Sequence, residues 1–180
     1  MSDAELPEDP WLPDDPWPRG RSRHGGVDEI PLPPTVPGRL WLAGKRYVAP
    51  DPVGALVSVG AEVVVCLCES FELTDRYPGY VEWLDDSGQG IWWPVPDLHA
   101  PPFESAEALV VDVAGHLNTG AGVLIHCGAG MGRAGTMAAA VLMHYGVGME
   151  AAIKAVGEAR PGAGPEVGAQ KDLLIAMSAS

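Results

Sequence analysis

An α/β fold, with a central mostly parallel sheet flanked by helices, is what the sequence predicts, and three observations predict it. Strand and helix signals alternate from Gly38 onward. Residues 63–68 form an apolar run with no polar alternation, the mark of a strand covered on both faces. Residues 122–145 read as strand, glycine-rich loop and helix in succession. At 180 residues and 47% hydrophobic content, the chain suffices for one substantial core plus an appendage.

The appendage comes first. Residues 1–37 hold nine of the 18 prolines, and residues 1–18 carry six acidic side chains and no basic one. So little apolar surface does not offset the entropy of ordering. The expected division is therefore an acidic Pro/Trp-rich tail over 1–37 and one domain over 38–180. Within the tail Asp-Pro-Trp recurs, placing Trp11 and Trp17 six residues apart, a pair suited to lying on the domain's own surface or to docking on a partner.

"RLWLAG" at 39–44 is a short strand. Asp51 and Pro52 signal the start of a helix that ends on Gly60. "EVVVCLCE" is the apolar strand, and "GIWWPV" the next candidate. Ala106, Leu109, Val110, Val113 and Leu117 recur at i, i+3, i+4, i+7 and i+11, one stripe of an amphipathic helix. "GVLIHC" is another strand, followed by helical stretches from Ala134 to about Tyr145, through 149–156, and through 167–177.

A net charge of −13 opposes nucleic-acid or polybasic membrane-surface binding, because both partners repel such a surface at long range. The three cysteines, Cys66, Cys68 and Cys127, lack CxxC spacing and disulfide density. With no signal peptide or apolar span of 18 residues in the sequence, a soluble cytoplasmic protein is expected.

The chemistry concentrates in "HCGAGMGR" at 126–133. Gly128, Ala129, Gly130, Met131 and Gly132 are small or unbranched, so successive backbone N–H groups can turn inward around an anion. The following helix adds its N-terminal dipole at the same place. Arg133 supplies a planar fork for two phosphate oxygens, and Cys127, ringed by donors, is expected to ionise more easily than a free thiol. A thiolate so placed attacks phosphorus, and the leaving oxygen then needs an acid. Asp97 in "WWPVPDLHAPP", on a loop stiffened by prolines, answers that need.

These segments together resemble the cysteine-dependent protein tyrosine phosphatases, in particular their dual-specificity branch. The likeness rests on "HCGAGMGR", on "PVPDL" as the acid loop, and on "RPGAGPEVGAQ" downstream, in the family's order from about Gly38 to the C-terminus. The resemblance implies a phosphatase fold, Cys127 as nucleophile, Arg133 as transition-state clamp, Asp97 as general acid and then base, and Gln170 as water positioner. His126 would shape the loop. The resemblance implies no metal or organic cofactor. Cys68 resembles a cysteine that lies near the nucleophile in one branch, where it would be a redox partner of Cys127. The implied substrate is a phosphorylated protein, on tyrosine or serine/threonine, since no lysine lies between Cys127 and Arg133. Ala134 departs from the family's Ser or Thr, and Thr136 on a helix points elsewhere. Two other readings stay open: a slow or inactive phosphate-recognition module, and a rhodanese-like sulfurtransferase.

Overall fold

The computed structural model describes residues 25–180; Trp11 and Trp17 lie outside the described residues. Strands β1 (Val27–Ile30), β2 (Arg39–Gly44), β3 (Val63–Cys66), β4 (Gly90–Trp92) and β5 (Gly122–Cys127) form one sheet in the order β1-β2-β5-β3-β4. All neighbours run parallel except β1 against β2. Every residue of β3 and β5 is buried, as an apolar run without alternation requires.

One face carries α1 (Lys45–Val48), α2 (Pro52–Val59) and α3 (Pro78–Asp86), whose Val48, Leu56, Tyr80 and Leu84 pack with Val64, Cys66 and Leu124. The other carries α4 (Phe103–Asn118), α5 (Gly132–His144), α6 (Met149–Ala159) and α7 (Gly168–Ser178), packed with Val65, Val123 and Ile125. The expected Ala106–Leu117 stripe is buried throughout. Asp51 caps α2 by accepting from the Gly54 N–H at 2.9 Å, Pro52 opens the helix, and Gly60 closes it at φ +69°. No described helix is long and apolar enough to cross a membrane.

The structure departs from the sequence reading at three places. Strand β1 lies inside the 1–37 stretch, so the sheet begins ahead of residue 38; its four residues, followed by Pro31, Pro33 and Pro34, are legible only through pairing with β2. Helix α3 and the 3-10 turn Ser70–Glu72 fill the interval between β3 and β4 that the sequence reading left without an element. Both β3 and β4 stop earlier than their apolar runs, leaving Cys68 and Asp97 on the segments that follow.

Candidate active site

Because β2, β3, β4 and β5 are parallel, their carboxyl ends meet along one edge, where sheets of this kind bind ligands. Strand β5 delivers Cys127 there, β3 leads to Cys68 and Glu72, β4 leads to Asp97, and β2 leads to Gly44 and Lys45.

The loop between β5 and α5 is held by its carbonyls. The Lys45 N–H donates to Gly128 O at 3.1 Å. Arg160, fully buried, donates through Nε to Gly130 O and through Nη2 to Ala129 O, each at 2.9 Å. Its remaining nitrogen reaches Asp28 Oδ2 at 2.7 Å and the carbonyls of Gly25 and Gly26. With these oxygens tied outward, the N–H groups of Ala134 and Gly130 point at the Cys127 sulfur. Glycine is required at position 130, where φ is +74° and a Cβ would strike the Ala43 carbonyl.

Cys127 departs from expectation in one respect. Burial pushes its thiol up, and the Ala134 N–H, the Arg133 charge and the Gly130 N–H only partly oppose this. Arg133 shares its charge with Glu72, Ala134 offers no hydroxyl, and the Thr136 hydroxyl donates to Gly132 O at 2.7 Å. These donors do not outweigh desolvation.

Arg133 is almost wholly buried, and its two terminal nitrogens each meet a Glu72 oxygen at 2.8 Å. Nη1 also donates to Val95 O at 2.9 Å. Among the described residues, Nε is a buried donor with no acceptor. Glu72 escaped the sequence reading, although Glu69 and Glu72 form a reciprocal capping box that marks the turn presenting it. Burial raises the Glu72 carboxyl, but the hydrogen bonds from Arg133 and the Glu69 N–H hold it below the usual carboxylate range.

Asp97 stands over this pair, its Oδ1 3.4 Å from Arg133 Nη2 and its side chain 67% exposed. The turn is tight: Leu98 adopts φ +59°, its N–H donates to Asp97 Oδ1, and His99 Nδ1 lies 2.7 Å from Asp97 O. Gln170 is buried beside the same loop, its Nε2 donating to His99 O at 3.1 Å and its Oε1 accepting from the Glu166 N–H at 2.8 Å. Both ends of the amide thus join the acid loop to residue 166. Glu166 itself, also missed, packs its carboxylate against Gly132 in the first turn of α5. Burial and then the Asp97 charge push it up, against Arg133.

His126 lies beneath the loop, its Nε2 bonded to the Tyr80 hydroxyl and its Nδ1 3.3 Å from Cys127 O. Cys68 is buried, and a hydrogen bond with Cys66 together with burial pushes its thiol well up.

Residues 35–167 match the family model described as the DSP-PTPase phosphatase domain of the Swiss Army Knife protein group. Comparison with curated protein sequences finds no match. Among solved structures, the chain is similar to Tk-PTP in its active form, at 27% identity and TM-score 0.64, covering 81% of this chain and 97% of that one. It shares its fold with the kinase associated phosphatase bearing a serine at its catalytic cysteine, at 21% identity and TM-score 0.69 over 83% and 91% of the two chains. Human DUSP28 is a further structure of this fold, at 19% identity and TM-score 0.62 over 84% and 93%. With three quarters of its length matched by one family model and its sheet, loop and helices arranged as above, the chain belongs to the dual-specificity-type phosphatase domains of the protein tyrosine phosphatase superfamily.

Proposed function

We propose that this chain is a phosphoric monoester hydrolase that works through a cysteinyl-phosphate intermediate on phosphotyrosine or phosphoserine/threonine in proteins. The observation that carries this reading is the state of Arg133, whose charge acts on Cys127: its outer nitrogens are fixed by Glu72, among the described residues its buried Nε has no acceptor, and the Ala134 and Gly130 N–H groups point at the sulfur. A phosphoryl oxygen fits that donor.

In the first step the Cys127 thiolate attacks phosphorus in line. The S–P bond forms, the P–O bond to the substrate breaks, and the Asp97 carboxyl gives its proton to the departing oxygen. Arg133 and the loop amides hold the equatorial oxygens where charge accumulates. Water then attacks phosphorus, its proton passes to Asp97, and the P–S bond breaks to release inorganic phosphate and the thiolate. Gln170, between the acid loop and residue 166, orients that water once its amide exchanges a backbone partner for it.

The raised Cys127 thiol and Ala134 favour a second reading, a pocket that holds phosphorylated partners with little turnover. Hydrolysis of p-nitrophenyl phosphate by wild type and Cys127→Ser decides between them. The enzyme reading expects turnover that the Cys127→Ser variant abolishes; equal rates for the two proteins would sink it. Trapping with Asp97→Ala then identifies the phosphorylated protein.

A further inference from the structure

On the face of the sheet away from α5, beneath the phosphate loop, lies a cluster that the reaction does not use. Cys66, Cys68 and His126 are each 0% exposed. Cys66 and His126 are register partners on adjacent parallel strands, and Cys68 follows Cys66 by two residues, so the three side chains gather on the α3 side. The two sulfurs and one imidazole nitrogen all lie within 4.8 Å of one another. An ion centred among them is at most about 2.8 Å from each, so an inward movement well under ~1 Å reaches the ~2.3 Å and ~2.0 Å of zinc–sulfur and zinc–nitrogen bonds.

We propose that Cys66, Cys68 and His126 form a binding site for Zn2+. Two thiolates and a neutral imidazole are the donor set this ion selects, and the two thiolates balance its charge in a place with no water to do so. The His126 ring is oriented as a ligand's is: with Nδ1–H directed at the Cys127 carbonyl, the lone pair on Nε2 faces the Tyr80 hydroxyl. Binding replaces that phenol contact and releases the two thiol protons, leaving the Tyr80 side as the fourth coordination direction. Access is short. Tyr80 also lines a cavity of about 490 Å³ between residues 49–53 and α3, together with Arg76, Tyr77 and Trp83. Tyr80 therefore touches both the cluster and the cavity.

The test uses the full chain, stripped with a chelator and kept reduced by a phosphine. Titration with Co2+ is followed by the thiolate-to-cobalt charge-transfer band, and Zn2+ is then added to displace it. One ion per chain is expected. Cys66→Ala or Cys68→Ala should weaken Zn2+ binding about tenfold or more, whereas Cys127→Ser should leave band and stoichiometry unchanged. A wild-type chain with three free thiols and no band overturns the proposal, as does a band lost in Cys127→Ser and kept in the two β3-side variants. The wild-type and Cys127→Ser titrations decide even where a core cysteine variant fails to fold. The readout is metal binding, so it succeeds or fails separately from the phosphatase reading.

Discussion

Glu72 grips both terminal nitrogens of Arg133, each at 2.8 Å, and thereby fixes the orientation of the guanidinium. An arginine free to rotate would present its fork in many directions. Here two donors meet a carboxylate and one the Val95 carbonyl, while among the described residues the buried Nε has no acceptor.

Glu72→Gln should therefore lower kcat/KM and also destabilise the fold, by about 3 kcal/mol, because a nearly buried guanidinium loses its counter-charge. The pH dependence has a definite sign. A carboxyl held below its ordinary range contributes stability that is present above that range and lost as pH falls through its own lower pKa. The gap in melting temperature between wild type and Glu72→Gln should accordingly narrow in acid. A constant gap across the acid range would mean that the Arg133 contact contributes nothing through charge.

Ala134 stands next to Arg133, and its N–H points at the nucleophile while its side chain offers no hydrogen bond. An Ala134→Ser hydroxyl aimed at the sulfur would stabilise the leaving thiolate by the order of one charge-assisted bond, ~1.5–3 kcal/mol, minus the strain of adding an oxygen to a fully buried position. Steady-state turnover of p-nitrophenyl phosphate should rise, with less phosphoenzyme accumulating in rapid-quench experiments. Equal or lower rates count against thiolate departure as the slow step.

How far the sequence disclosed this site depended on whether each residue acts locally. Cys127, Arg133 and the glycines between them belong to one strand-loop-helix unit, so their gathering on one loop is legible from spacing. Asp97 needed only a proline-stiffened loop behind a strand, and the structure brings it within 3.4 Å of Arg133. Glu72 and Arg160 were hidden because their partners lie 61 and about 30 residues away, and neither breaks a local pattern. Strand β1 was hidden for the same reason: "VDEI" between glycines and prolines becomes a strand only when Val27 through Ile30 find Ala43 through Leu40.

Arg160 links that strand to the phosphate loop, holding the Ala129 and Gly130 carbonyls with one edge and Asp28 with another nitrogen. Arg160→Met should cost about 3 kcal/mol by stranding a partly buried carboxylate and two loop carbonyls. Vanadate affinity should fall with it, since amides held by outward-tied carbonyls are the proposed binding surface. Unchanged vanadate affinity in folded protein would show that the loop keeps its shape without this clamp.

The Cys68–Cys127 redox pairing that the family resemblance implies makes a kinetic prediction. Peroxide would convert the Cys127 thiolate to a sulfenic acid, and the Cys68 sulfur would displace hydroxide, leaving a disulfide and water. A Cys68 thiol pushed well up by Cys66 and by burial is a poor nucleophile near neutral pH, so the crosslink should form slowly and faster in alkali. Peptide mapping after mild peroxide treatment at several pH values measures this; overoxidised Cys127 with no crosslinked peptide at any pH removes Cys68 from the role.

Glu166 supplies the remaining prediction, because it places a third carboxyl, after Glu72 and Asp97, beside the pocket proposed to take a phosphoryl group. Its side chain packs on Gly132, in the turn of α5 whose dipole favours the ligand, and Asp97 already adds negative charge nearby. Burial and Asp97 raise its pKa, so its favourable contribution to stability is complete below the ordinary carboxylate pKa and is lost as pH rises through the raised value. Once ionised, the side chain therefore opposes both folding and anion binding. Glu166→Gln keeps the shape and removes that charge. Its melting temperature at pH 7 should equal or exceed wild type, vanadate should bind a few-fold tighter, and KM should fall more than kcat changes. As pH falls and the wild-type carboxyl takes up its proton, the two proteins should converge. Weaker vanadate binding by Glu166→Gln at every pH would instead make the carboxyl a participant in holding the ligand.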